Sequence, residues 1–177
     1  MYSRNCDVSK TDSTELGCYT DVSDTTDSTE YVHELIVEVR ILQESQEKYK
    51  KNIRENITEC ERRILKRDSD IDAYYEDLIE DPFSYRYLEE HNLIDNVRSL
   101  INRYRNTIRT ETASAVREIK ETMETRMKNE NFLRFSVDRI FLHDHLKMMY
   151  SVINDFLHKT NAIVEELDQY YDLIDAE

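Results

Sequence analysis

The sequence predicts an all-α protein: an elongated antiparallel three-helix bundle behind a disordered N-terminal tail. Three observations carry this. The 177 residues contain one glycine and one proline, too few for the tight turns of a sheet protein. Charged residues make up 35% of the chain, which suits either long solvated helices or disorder. Three long stretches then decide between them, because their apolar residues advance by threes and fours along one helical face.

The tail covers residues 1–28 and is rich in Ser, Thr and Asp without a sustained apolar period. The string TDSTE occurs in it at Thr11–Glu15 and again at Thr26–Glu30. In the second copy Asp27 and Glu30 have the spacing of a capping box, and a long apolar face follows. The first copy runs into Gly17 and more polar residues, so nothing offsets the cost of nucleating a helix there. Ser13, Thr14, Ser28 and Thr29 stand beside acids as candidate phosphorylation sites; at residue 28 the charge would meet a helix N-terminus.

The helical body is expected over 29–177. Its first helix, about 29–67, carries Val32, Ile36, Val39, Leu42, Gln46, Tyr49, Ile53, Ile57, Cys60 and Ile64 on one face. Asp68-Ser69-Asp70 then caps a short helix over 69–80, unless the first helix continues unbroken to Glu80. Pro82 is a firm stop and also fits the first turn of the next helix.

The second long helix, 84–128, places Tyr87, Ile94, Val97, Ile101, Tyr104, Ile108, Ala115, Ile119 and Met123 on its apolar face. The pattern weakens from Thr110 to Ser114, where Thr and Ser replace apolar residues. Asn129-Glu130-Asn131 is the expected turn. The third helix, 132–175, carries Phe135, Leu142, Leu146, Met149, Ile153, Phe156, Thr160, Ile163, Leu167, Tyr170 and Ile174. Short links between long amphipathic helices favour folding back into a bundle. A dimeric coiled coil is the rival, but pairs such as Leu35-Ile36 and Phe141-Leu142 make the stripes broader than a two-position seam.

The net charge of −14 opposes nucleic-acid binding, which needs clustered Lys and Arg, and gives no attraction to anionic lipid. No run approaches the roughly 18 apolar residues of a membrane span, and no apolar leader opens the chain. Cys6, Cys18 and Cys60 are odd in number and have no CxxC spacing, which points to a reducing, cytoplasmic location.

No residue set promises catalysis, a metal or a cofactor. His143 and His145 are two apart, about 200° around a helix, and cannot share a metal from one face. The Asp68–Asp72 run resembles a calcium loop, but Ala73 and Ile79 stand where glycine and glutamate are needed. Arg98, Arg105 and Arg109 form a stripe at spacings of seven and four. It reads as a solvated face paired with acids of neighbouring helices, or as a docking stripe for an acidic helix.

The helices resemble the N-terminal three-helix regulatory domain of syntaxins, over roughly residues 28–175; a spectrin-like bundle is the same architecture. The third helix carries the match in His143, Leu146 and Tyr150, followed by His158 and Asn161. Ile101, Ile108 and Arg109 match the second helix, and VEVR at Val37–Arg40 the first. Asp68–Pro82 is extra relative to that family, and no fusion-driving SNARE helix or membrane anchor follows within the 177 residues. The family's regulator-binding motif is not met by Asp27–Val32, which lacks the basic residue.

The resemblance implies a non-enzymatic interaction module in vesicle-mediated transport. It would be a monomer or weak dimer binding a protein helix or SNARE regulator between its second and third helices, through Arg98, Arg105, Arg109, His143, Leu146, Tyr150, His158 and Asn161. The alternative is a structural coiled-coil subunit of a cytoskeletal, kinetochore or viral assembly.

Overall fold

The computed structural model describes residues 24–129 and 135–176. Every regular element among them is helical: α1 (Asp24–Glu80), α2 (Pro82–Glu90), α3 (Ile94–Arg103), a π-helical segment (Tyr104–Arg109), α4 (Thr110–Lys128) and α5 (Phe135–Asp175). No described helix is long and apolar enough to cross a membrane. The chain divides after Gln43 into two units, Met1–Gln43 and Glu44–Glu177.

In the first unit, the described part is the opening of α1. The helix begins at Asp24, so Asp27 lies inside its first turn and not at the cap that the spacing predicts. Once a helix is nucleated, adding a polar residue at its end costs little. Side chains 29–43 are all exposed. The rest of the predicted tail, including Ser13 and Thr14, lies outside the described residues.

In the second unit, α1 passes without a break through Asp68-Ser69-Asp70, against the expected end at 67. Asp68 is buried and bonded to Tyr104 and Arg109. Its carboxylate is therefore not available to compete for backbone amides and end the helix.

Pro82 opens α2 as predicted. Asp81 caps it, accepting from the Ser84 backbone N–H and hydroxyl, each at 2.8 Å. Those bonds, the backbone N–H first, hold the Asp81 carboxyl below its ordinary value.

The expected single helix over 84–128 is interrupted. Asn92 takes a left-handed φ of 59°. The Leu93 N–H reaches Leu88 O at 2.8 Å and the Asn92 N–H reaches Glu89 O at 3.1 Å. This is the glycine-type helix ending, filled by asparagine, a side chain that tolerates the left-handed region.

A second departure is the π turn at Tyr104–Arg109, supported by the Thr110 hydroxyl donating to Arg105 O at 3.0 Å. A π turn accommodates one extra residue, which shifts the buried face by about 100°. The expected Ala115 is therefore only half-buried, and Thr112, Val116, Ile119, Met123 and Met127 face the core.

The core of this unit has two clusters. One joins Ile53, Ile57 and Cys60 of α1 to Val116, Ile119, Met123 and Met127 of α4 and to Leu142, Leu146, Met149 and Ile153 of α5. The other joins Ile71 and Leu78 of α1, Leu88 of α2, Val97, Leu100 and Ile101 of α3, and Tyr104 to Phe156, Ile163, Leu167 and Ile174 of α5.

Cross-helix bonds give the directions. Asn56–Tyr150 and Arg67–Asn161 rise together along α1 and α5. Glu61–Lys120 and Asp72–Arg105 run oppositely between α1 and the second stretch. Every buried side-chain polar atom among the described residues has a hydrogen-bond partner.

Candidate partner-binding site

The eight residues that sequence reasoning selected do not converge on one surface. Arg98 is exposed, 4.0 Å from Asp95 one turn earlier. Arg105 bonds Asp72 of α1 at 2.7 Å and lies over the Tyr75 ring at 5.4 Å. The bond to Asp72 pushes its guanidinium up. Arg109 meets Asp68 at 3.2 Å. Arg105 and Arg109 are thus paired with acids of a neighbouring helix, α1.

On α5, Leu146 is core, while His143 and His158 are exposed. Tyr150 donates to Asn56 at 2.9 Å, and Asn161 accepts from Arg67 at 3.0 Å. These two face α1 and tie the helices together. The His145 and Phe141 rings pack in a tilted arrangement with centroids 3.9 Å apart, and no group of three or more His, Cys, Asp or Glu among the described residues could hold a metal.

A surface that the sequence did not single out lies between α1 and α4. Ile64 and Leu65 of α1 and Ala113 and Val116 of α4 line an open trough of about 640 Å³. Leu65 is 64% exposed there. Arg117, Lys120, Glu121 and Glu124 of α4 and Glu61 of α1 form the charged rims. Lys120 and Glu61 bridge the two helices at 2.7 Å, and that bond pushes the Lys120 ammonium up.

The trough opens where Ala113, the residue of Thr110–Ser114 that lines it, follows the π turn. The sequence signal was the weakened pattern over those residues. Without the π turn it could not be assigned to a face.

A second trough, between α1 and α5, is lined by Arg67, Asp70, Tyr74, Asp77, Asp168 and Tyr171. The Tyr74 and Tyr171 rings meet edge-on at 5.8 Å, and the Tyr171 hydroxyl donates to Tyr74 O at 3.2 Å. Asp168 beside Tyr74 pushes that phenol up. Cys60 is fully buried, and burial pushes its thiol up, the reverse of what a nucleophile needs.

Comparison with family models, with curated proteins and with solved structures gives no match.

Proposed function

We propose that the chain is a non-enzymatic interaction module. In this reading it is an antiparallel three-helix bundle of the syntaxin regulatory kind, which takes an amphipathic partner helix in the α1–α4 trough. The role is in cytoplasmic vesicle-mediated transport, where the partner is a SNARE-type helix. The bundle is supported by the direction of the cross-helix bonds and by the shared α1–α4–α5 core. The observation that carries the binding role is the trough, with an apolar floor at Leu65 and Ala113 between charged rims. Helix-in-groove recognition needs that combination. Rims of both signs suit an occupant whose flanks also carry both.

The site differs from the one the resemblance implies. It lies between the first and second long stretches, because Tyr150 and Asn161 of α5 are bonded to α1 and Leu146 is in the core. A second reading, a coiled-coil subunit of a larger assembly, is favoured by the exposed apolar side chains at the start of α1.

Fluorescence anisotropy with labelled synthetic SNARE-motif helices tests the first reading. Leu65→Glu and Ala113→Glu are each expected to weaken binding at least about tenfold, or ~1.4 kcal/mol, while Ile41→Asp leaves it unchanged. No binding up to about 1 mM peptide, a free energy near −4 kcal/mol, overturns the proposal. So does binding indifferent to both trough substitutions.

A further inference from the structure

The opening of α1 carries a continuous apolar face that the structure leaves uncovered. Tyr31, Val32, Leu35, Ile36, Val39 and Leu42 are between 41% and 63% exposed. At about 100° per residue they fill an arc of roughly 140° on one side of the helix. Scattered exposed apolar residues are ordinary, but a contiguous stripe of this kind marks an interaction surface. It lies wholly within the unit that ends at Gln43, apart from the trough, and the inference below holds whether or not the trough is occupied.

We infer that this stripe pairs with the same stripe of a second copy of the chain, as a parallel in-register two-stranded coiled coil. Two features of the residues select that occupant. First, Val32, Leu35, Val39 and Leu42 fall at successive a, d, a and d positions of a heptad. β-Branched residues at a with leucine at d are the pattern that favours two parallel strands. Second, the edges of the stripe differ in charge. The g flank carries Tyr31 and the acid Glu38, whereas the e flank carries Ile36 and Gln43 and no charge.

In a parallel pair the g flank of each copy faces the e flank of its partner, so Glu38 meets the uncharged Ile36 and Gln43. Two antiparallel copies related by a two-fold axis set acid against acid. Like charges across a helix pair are unfavourable, and the flanking residues choose partner and orientation. Because the stripe is only two heptads long, the pairing is a weak, concentration-dependent one. It deepens the coiled-coil reading and supplies its geometry.

Sedimentation equilibrium on the full chain tests the pairing. A monomer–dimer equilibrium is expected, with Leu35→Asp raising the dimer dissociation constant at least tenfold. Ile41→Asp, on the opposite side of the same helix and 59% exposed, is expected to leave it unchanged. Far-UV circular dichroism confirms that both exposed substitutions keep the helix.

Orientation is read by oxidative cross-linking in a Cys6→Ser, Cys18→Ser background. Val39→Cys alone is expected to form a disulfide dimer, since parallel strands place position 39 against itself. A chain that stays monomeric at all concentrations overturns the inference. So does a dimer indifferent to Leu35→Asp, or cross-linking that occurs only when Leu35→Cys and Val39→Cys chains are mixed, the antiparallel layer.

Discussion

The Tyr104 hydroxyl donates to the Asp68 carboxylate across 36 residues of sequence, and both side chains are buried. Arg109 reaches the other carboxylate oxygen at 3.2 Å. A buried carboxylate is tolerable only when it is paired and hydrogen-bonded. Here the two donors stand on either side of the π turn. Tyr104 and Arg109 are its first and last residues, so the widened turn lets one acid of α1 hold both. Burial and the bond to Asp68 together push the Tyr104 phenol well above its ordinary value.

Tyr104→Phe removes one partner of Asp68 while preserving the ring's packing. The carboxylate then keeps Arg109 but has a lone pair without a donor inside the core, at a cost of about 1–3 kcal/mol. The urea midpoint is expected to fall with an unchanged slope. An unchanged midpoint would show that Arg109 satisfies Asp68 without help.

Stability should fall in alkali through the half-buried Tyr171 phenol. Burial first, and then Asp77, push the Tyr171 phenol from 10.0 to about 12. A group whose folded pKa is raised stabilises the fold fully below its unfolded value. That contribution is lost as pH rises from about 10 through about 12. Urea midpoints measured from pH 9 to 12 are expected to drop across this window, and Tyr171→Phe to drop less steeply. Equal slopes for the two proteins would remove Tyr171 from the effect.

The π turn makes a prediction about length. Asn106 is exposed within it, and a π turn is an α-helix carrying one extra residue. Deleting Asn106 is expected to give a regular helix with Tyr104 and Val116 still in phase, and a thermal midpoint near that of the parent. Deleting exposed Glu118 instead rotates Ile119, Met123 and Met127 by about 100°. Each large side chain withdrawn from the core costs about 2–5 kcal/mol, so that variant should not fold. Two deletions with equal effects would rule out the rephasing role.

Much of the fold was legible along α5, where Leu142 through Ile174 have the predicted burial almost position by position. That helix packs along its length without a break in period. The face of α1 from Ile53 to Cys60 was equally plain. From Tyr87 to Met123, Val97, Ile101, Tyr104, Ile119 and Met123 are buried as predicted, but Ala115 is not, and two local events interrupt the helix. Asn92 ends α2 with a conformation that asparagine permits but does not demand. The π turn then shifts the face by one residue, which no pattern of apolar spacing announces.

The candidate site was less legible than the fold. Arg105 and Arg109 have the spacing of an open docking stripe. Only the opposing acids of α1 reveal that their charges are already met. Tyr150 and Asn161 are likewise spent on α1. The trough at Leu65 and Ala113 depends on two helices meeting, and no single stretch records that.

By itself the sequence determined that the chain is helical, which residue types line each helix, and where Pro82 stops one. These follow from backbone sterics and from periodicities of three and four, which act over a few residues at a time. Only the tertiary structure decided that α1 runs through Asp68, that α4 is turned by one residue, and that Val32 to Leu42 stay open to solvent. Burial and pairing are relations between distant segments, and a side chain's partner is decided by which helix arrives opposite it.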